Sequence, residues 1–282
     1  MVNFLYFILR FFLGGVWYNF FRMRIIFIIA MFLLGAAMGS FLCCQARRLK
    51  RKKMPARSIC LKCKKQLRWF ENLPILSWIF LRGRCRYCRA KIGVTEVLAE
   101  IFGGAIFAGL AMRADFWSGN ATGFSGPIFV MTVVLVLSLG FLSLCDIFYQ
   151  ELPSLWLTFS IICGIIVAIL KIWSSILIGG DFWASLGDLA GCVVILAGTY
   201  LFLYLFSKGK WVGDGDWLIC LAIALAVGEA FWGLVILCVA NLAGTLVMLP
   251  ILRRQKKRKV LEAKIPFGPF LVLGFVVVLL CF

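Results

Sequence analysis

The sequence predicts an all-α polytopic membrane protein of about eight transmembrane helices, interrupted once by a long basic loop. Two observations carry this expectation. The chain is 63% hydrophobic over 282 residues, and its apolar residues gather into runs near the roughly 17–25 residues a helix needs to cross a bilayer. Its charge is confined to a few stretches between those runs. Spans are expected near 25–46, 95–112, 127–145, 154–173, 186–206, 216–228, 230–251 and 266–282. The run at 216–228 is short, which leaves open a tight hairpin with its neighbour and a count that differs by one.

The first span follows an apolar, aromatic extension, residues 1–22, interrupted by Arg10 and Arg22. It leaves several readings open: a membrane-surface helix, an extra span, an uncleaved signal-like leader, or an over-long start preceding Met23. The expected organisation is therefore extension (1–22), first span (23–46), basic loop (47–94) and membrane helices (95–282). No internal repeat is evident.

Residues 47–91 hold sixteen Lys and Arg against one acid, Glu71, so the positive-inside rule assigns the loop to the cytosol. Counting helices puts Lys208, Lys210 and the run Arg253 to Lys259 on the same face, while the loops at 113–126 and 174–185 are poor in Lys and Arg and fall opposite. The net charge of +18 then has anionic lipid rather than nucleic acid as its counterpart.

Within the loop, Cys60-Leu-Lys-Cys63 and Cys85-Arg-Tyr-Cys88 form two C-x-x-C knuckles, 21 residues apart. Four thiols so spaced make a tetrahedral nest for one metal ion, and zinc is the metal that suits it. The competing reading is a pair of disulfides, and cytosolic thiols are kept reduced. Cys43, Cys44, Cys145, Cys163, Cys192, Cys220, Cys238 and Cys281 sit in apolar surroundings with no paired spacing and read as packing residues.

There is no histidine, which excludes Ser/His/Asp, Cys/His and His-ligated metal catalysis. Acid–base chemistry falls to carboxylates, lysine, tyrosine or cysteine. Two of the 12 acids stand out because they end membrane spans, where ionisable groups are expensive. Asp146 closes a long apolar run seven residues before Pro153, and Asp216 closes Gly213-Asp214-Gly215-Asp216 and opens the next span. The glycines at Gly213 and Gly215 permit a backbone turn or close approach.

Each aspartate has a plain reading, as a helix cap or a solvated end. Both, however, are expected at the cytosolic edge on helices able to converge. Two carboxylates meeting in a partly dry site share a proton, one acting as base on a water and the other as donor to a scissile carbonyl. Asp214 rivals Asp216 for the second place. Glu96 and Glu100, on one helical face, and Glu151 are candidates to receive a basic substrate segment.

Taken together and in order, these elements resemble the type IV prepilin peptidases, the leader peptidase/N-methyltransferases of the bacterial A24 family. The resemblance runs from about residue 35 to 275. It includes Gly39-Ser40-Phe41-Leu42, the two knuckles with Glu71-Asn72-Leu73-Pro74 and Leu81-Arg82-Gly83-Arg84 between them, and Leu98-Ala99-Glu100. It continues through Asp146 with Leu152-Pro153, Gly213 to Asp216, and Ile265-Pro266-Phe267-Gly268-Pro269-Phe270.

The resemblance implies a membrane aspartic endopeptidase of the bacterial cytoplasmic membrane. Such an enzyme removes the basic leader of prepilins or pseudopilins at the cytosolic face, with Asp146 and Asp216 as its catalytic pair. It also implies methylation of the new N-terminus from S-adenosylmethionine, with Glu71, Gly83 and Arg84 as methyl-transfer candidates. The sequence itself carries no glycine-rich nucleotide fingerprint.

Leu218 stands where the family carries a lysine after its G-x-G-D, Glu71 stands for an aspartate, and Thr95-Glu96-Val97 replaces the family's R-Y-P. The last two changes bear on methyl transfer, not on cleavage. A cation transporter and a membrane-tethered zinc-ribbon scaffold are the other classes. The first expects acidic groups near mid-membrane, and the second leaves Gly213 to Asp216 without a purpose.

Overall fold

The computed structural model describes residues 2–49, 58–60, 62–113, 126–209, 212–254 and 266–281. Of the side chains of 2–21, 69, 248 and 250–254, nothing is described. Lys210, most of the basic run after Arg254, and Ile265 lie outside these residues.

Among the described residues the α-helices are α1 (Val2–Arg48), α2 (Leu76–Phe80), α3 (Val94–Arg113), α4 (Gly126–Tyr149), α5 (Ser154–Leu177), α6 (Phe182–Val193), α7 (Thr199–Ser207), α8 (Asp216–Val227), α9 (Ala230–Arg254) and α10 (Gly268–Cys281). A π turn, Val194–Gly198, joins α6 to α7, so that Phe182–Ser207 forms one span. The backbone of α1 runs without a break from Val2 through the described part of the expected extension into the first span. Among the described residues there are no strands, only isolated bridges.

Among the described residues, six helical segments are long and apolar enough to cross a membrane, and α8 and α10 are shorter apolar helices. These eight segments fall where the apolar runs of the sequence predict them. The protein is an all-α polytopic membrane protein.

The chain divides into two units, Met1–Ser40 with Arg57–Arg113, and Phe41–Ala56 with Ala114–Phe282. In the first unit, α1 and α3 meet through small residues. A side chain at Gly35 would strike the carbonyl of Gly103, and one at Gly39 the carbonyl of Ala99. Small residues spaced four apart on both helices let the backbones approach, the usual basis of helix pairing where lipid and side chains are equally apolar.

In the second unit, α8 is enclosed by α5, α6, α7, α9 and α10. It is buried nearly all round, from Asp216 and Ile219 to Val227. A helix apolar on every face belongs inside a bundle, and this one can be 12 residues long because it need not match the lipid by itself. The C-terminal end of α1 packs on α4 through Ala46, Phe141 and Cys145. The same junction is fixed by a hydrogen bond of 2.9 Å from the Tyr149 hydroxyl to the Arg47 carbonyl and by the Arg47 guanidinium over the Phe148 ring.

Candidate active site and metal centre

Asp146 lies in the last turn of α4 and is buried, 7% exposed. The backbone N–H of Gly268, at the start of α10, donates to its Oδ2 at 2.9 Å. Asp216, the first residue of α8, is 8% exposed, and the N–H of Gly213 donates to its Oδ2 at 3.0 Å. Each carboxylate is thus held by one glycine N–H, a charge-assisted bond.

Space is tight at these glycines and at Gly215. A Cβ at Gly268 would lie 3.0 Å from Asp146 Oδ2 and 3.5 Å from Ile219 Cδ1, one at Gly213 would lie 3.2 Å from Asp216 Oδ2, and one at Gly215 would press into Leu152. Ile219 is one turn along α8 from Asp216, so Gly268, which holds Asp146, also lies beside the helix that Asp216 begins, and α10 packs on both α4 and α8.

The contact of Leu152 with Gly215 joins the two sequence elements carrying the aspartates. Asp214 is exposed, in contrast to Asp216. Lys208, left-handed at φ 50°, ends α7 and is also exposed.

In the first unit, the four cysteines of the knuckles meet. Their sulfur atoms all lie within 4.8 Å of one another. Cys60 Sγ and Cys88 Sγ are 3.8 Å apart, far beyond a disulfide bond and equal to the about 3.8 Å edge of a tetrahedron with zinc–sulfur bonds of about 2.3 Å. The donor set and its spacing therefore fit a closed four-thiolate metal site.

The two knuckles are built alike. Cys60 N–H donates to the Lys65 carbonyl and Lys64 N–H to the Cys60 carbonyl; Cys85 N–H donates to Ala90 and Arg89 N–H to Cys85. Lys64 and Arg89, four residues after the leading cysteine of each knuckle, are both left-handed, at φ 56° and 53°. The two turns thus share one backbone pattern although the side chains around them differ.

The thiols are not equivalent. Burial raises Cys60, but the backbone N–H groups of Cys63 and Lys62 and the nearby thiols outweigh it and draw Cys60 down to about 7. Cys63 is lowered by the N–H of Lys65 but raised more by desolvation and its thiol neighbours, ending at about 11. Across the knuckles, Lys65 Nζ sits over the Tyr87 ring at 4.7 Å and the Arg86 guanidinium over Phe70 at 5.6 Å.

Glu71, Gly83 and Arg84 share this loop. Glu71 is 6% exposed. Its Oε2 accepts from the Arg68 N–H at 2.8 Å, while its Oε1 and the Trp78 Nε1 are buried without a hydrogen-bond partner. Gly83 has φ 66°, and a Cβ there would lie 3.0 Å from the Trp78 indole, so both conformation and space require glycine. Arg84 is exposed.

Of the three acids expected to receive a basic substrate segment, Glu100 is buried, and its Oε2 accepts from the Ile75 N–H at 2.7 Å. Ile75 has a positive φ of 62° with ψ −50°, an unfavourable conformation for a β-branched residue, and Glu100 accepts its N–H. Glu96 lies one turn before Glu100 on α3, and Glu151 is exposed between α4 and α5 of the other unit.

Residues 33–114 match the Bacterial Peptidase A24 N-terminal domain. Over 229 residues the chain is 31% identical to a prepilin leader peptidase/N-methyltransferase of Aeromonas hydrophila, covering 78% of this chain and 70% of that protein. The chain belongs to the prepilin leader peptidase/N-methyltransferase family.

A family relative of the same name in Burkholderia pseudomallei (strain K96243) is 32% identical over 229 residues, and the aligned region spans 65% of its length. Another, in Stutzerimonas stutzeri, is 29% identical over 231 residues, 79% of this chain and 71% of the relative. No solved structure matches.

Sequence reasoning missed Tyr200, whose ring lies against Phe267, the residue before Gly268, and Asn241, which donates to the Tyr200 hydroxyl. Asn241 is a single amide in the apolar run of α9, a signal that polar groups inside spans are worth pursuing. Tyr200 carries no signal of its own among its aromatic neighbours.

Proposed function

We propose that this chain removes the basic leader of type IV prepilins or pseudopilins at the cytosolic face of the bacterial inner membrane, serving pilus or type II secretion assembly. Asp146 and Asp216 are the catalytic pair. The observation that carries the reading is the pair itself: two buried carboxylates at the ends of α4 and α8, each held by a glycine N–H, with α10 packed on both helices. One takes a proton from the attacking water while the other, protonated, donates to the scissile carbonyl oxygen. The glycine bonds occupy one oxygen of each acid and leave the other for water or substrate.

The same chain methylates the new N-terminus. Zinc, held by Cys60, Cys63, Cys85 and Cys88, supplies a structural cross-link that keeps the loop folded. The methyl donor is S-adenosylmethionine, which supplies an activated methyl group. Glu71, whose Oε1 is buried without a hydrogen-bond partner, is proposed as a residue of the methyl-transfer site. Gly83 and Arg84 complete the candidate set, and Glu96 and Glu151, each in its own unit, are proposed as contacts of the basic leader, whereas Glu100 is engaged by the Ile75 N–H.

The test is to incubate the detergent-purified protein with a prepilin and S-adenosylmethionine and to weigh the product. Loss of the leader with a methylated N-terminus is expected. An intact prepilin, under conditions where the Aeromonas hydrophila relative cleaves it, would refute the proposal.

A further inference from the structure

Tyr200 is 3% exposed, in the first turn of α7. Its hydroxyl oxygen accepts from Asn241 Nδ2 on α9 at 3.1 Å, and the same nitrogen donates to the Leu237 carbonyl at 2.8 Å. Both amide hydrogens of Asn241 are thereby used, which fixes the amide and, through it, the phenol. An asparagine on the apolar surface of a membrane helix is tolerated only when so satisfied.

The ring of Tyr200 lies 5.6 Å from that of Phe267, centroid to centroid. Phe267 immediately precedes Gly268, whose N–H holds Asp146. On α8, the Asp216 carboxylate and the Cys220 thiol, one turn apart on one face, are the charged and titratable groups within reach of the phenol.

We infer that Tyr200, locked by Asn241, is a positioning residue for the aspartate pair, its ring bracing the Phe267–Gly268 turn that presents an N–H to Asp146. The inference rests on the paired-aspartate reading. Tyr200 is not proposed to touch the prepilin. Its hydroxyl acts through Asn241, and its ring acts through Phe267.

The experiment compares Tyr200→Phe, Asn241→Leu and the double variant with Asp146→Asn and Asp216→Asn in the full-length purified protein, measuring kcat and KM for leader cleavage. Tyr200→Phe keeps the ring and removes only the hydroxyl. Each single variant is expected to lower kcat about three- to tenfold, the range of one neutral hydrogen bond, with KM within about twofold. The double variant is expected to be no worse than Tyr200→Phe alone, because both changes break one contact. Methylation of a pre-cleaved pilin peptide is expected to stay unchanged, reporting an intact fold.

Unchanged kcat in Tyr200→Phe beside inactive aspartate variants would overturn the inference alone, as would a loss carried by KM or losses that multiply in the double variant. Full cleavage by either aspartate variant would remove the paired-aspartate reading and this inference with it. If Tyr200→Phe does not accumulate, Asn241→Leu decides by the same kcat criterion.

Discussion

Leu152 rests on the bare backbone of Gly215, with its Cβ and Cγ each 3.2 Å from where a glycine side chain would begin. Leu152 is six residues after Asp146 and Gly215 is one before Asp216, so the contact sets the spacing of the two helix ends that carry the acids. A methyl group at 215 would overpack this point, at a cost of about 1–3 kcal/mol. Gly215→Ala is therefore expected to lose most cleavage activity, and Leu152→Ala to restore part of it in the double variant. Absence of any rescue in the cleavage assay would mean that Gly215 matters for another reason.

Asp146→Asn and Asp216→Asn are each expected to lower cleavage by at least about 100-fold, as asparagine keeps the shape but cannot exchange the proton. Expression and membrane insertion should be unaffected. Asp214→Asn, which alters an exposed group, should retain near-normal cleavage. Gel-shift assays of prepilin processing with matched amounts of each variant decide the assignment. An inactive Asp214→Asn with an active Asp216→Asn would move the second role to Asp214.

Purified protein is expected to contain about one zinc per chain, the capacity of one four-thiolate site. Bound thiols are deprotonated, so protons compete with the metal: affinity should fall as the pH is lowered, and acid or a chelator should release zinc and expose the loop to proteolysis. Elemental analysis finding no metal, with disulfides found by non-reducing mass mapping, would replace the metal site with cross-links.

Cleavage and methylation should separate in one direction. The aspartate variants should leave intact prepilin unprocessed, yet methylate a pre-cleaved pilin peptide. Replacing Cys60 and Cys63 by serine should depress methylation more than cleavage. Mass spectrometry of the mature N-terminus reads both outcomes, and full methylation by the cysteine variant would disconnect the loop from methyl transfer.

Gly83→Ala would meet both a left-handed backbone and the Trp78 indole. A loss of about 1–3 kcal/mol in loop stability is expected from strain of this kind, read as faster proteolysis between the knuckles, with methylation falling alongside. Unaltered protease resistance would show that the loop yields at Trp78.

The apolar runs predicted the eight helical segments because burial in lipid demands length and hydrophobicity, and both are written into the composition. The C-x-x-C spacings likewise foretold the gathering of four thiols, since a knuckle is a local structure. What lies between helices was less legible. In a membrane bundle the faces toward lipid and toward protein are equally apolar, so no periodicity announces that α8 is enclosed, that Leu152 meets Gly215, or that Tyr200 lies against Phe267. Glu100 shows the opposite limit. Its position suggested an open acid awaiting substrate, whereas its carboxylate is engaged by the Ile75 N–H, a partner 25 residues away that spacing alone does not reveal.

The π turn at Val194–Gly198 also has a meaning for chain length. A π turn takes up one residue more than an α turn over the same stretch, so it acts as slack between two segments whose phases are set separately. Before it, Cys192 packs under Gly233 of α9; after it, Tyr200 faces Phe267. Tightening these five residues into regular α-helix would turn one face against the other by about 100°, carrying Tyr200 off Phe267. Deleting a single residue there would absorb the slack and keep both faces in phase. This span should therefore tolerate a one-residue deletion better than a straightening substitution, which is the reverse of the usual order for a membrane helix.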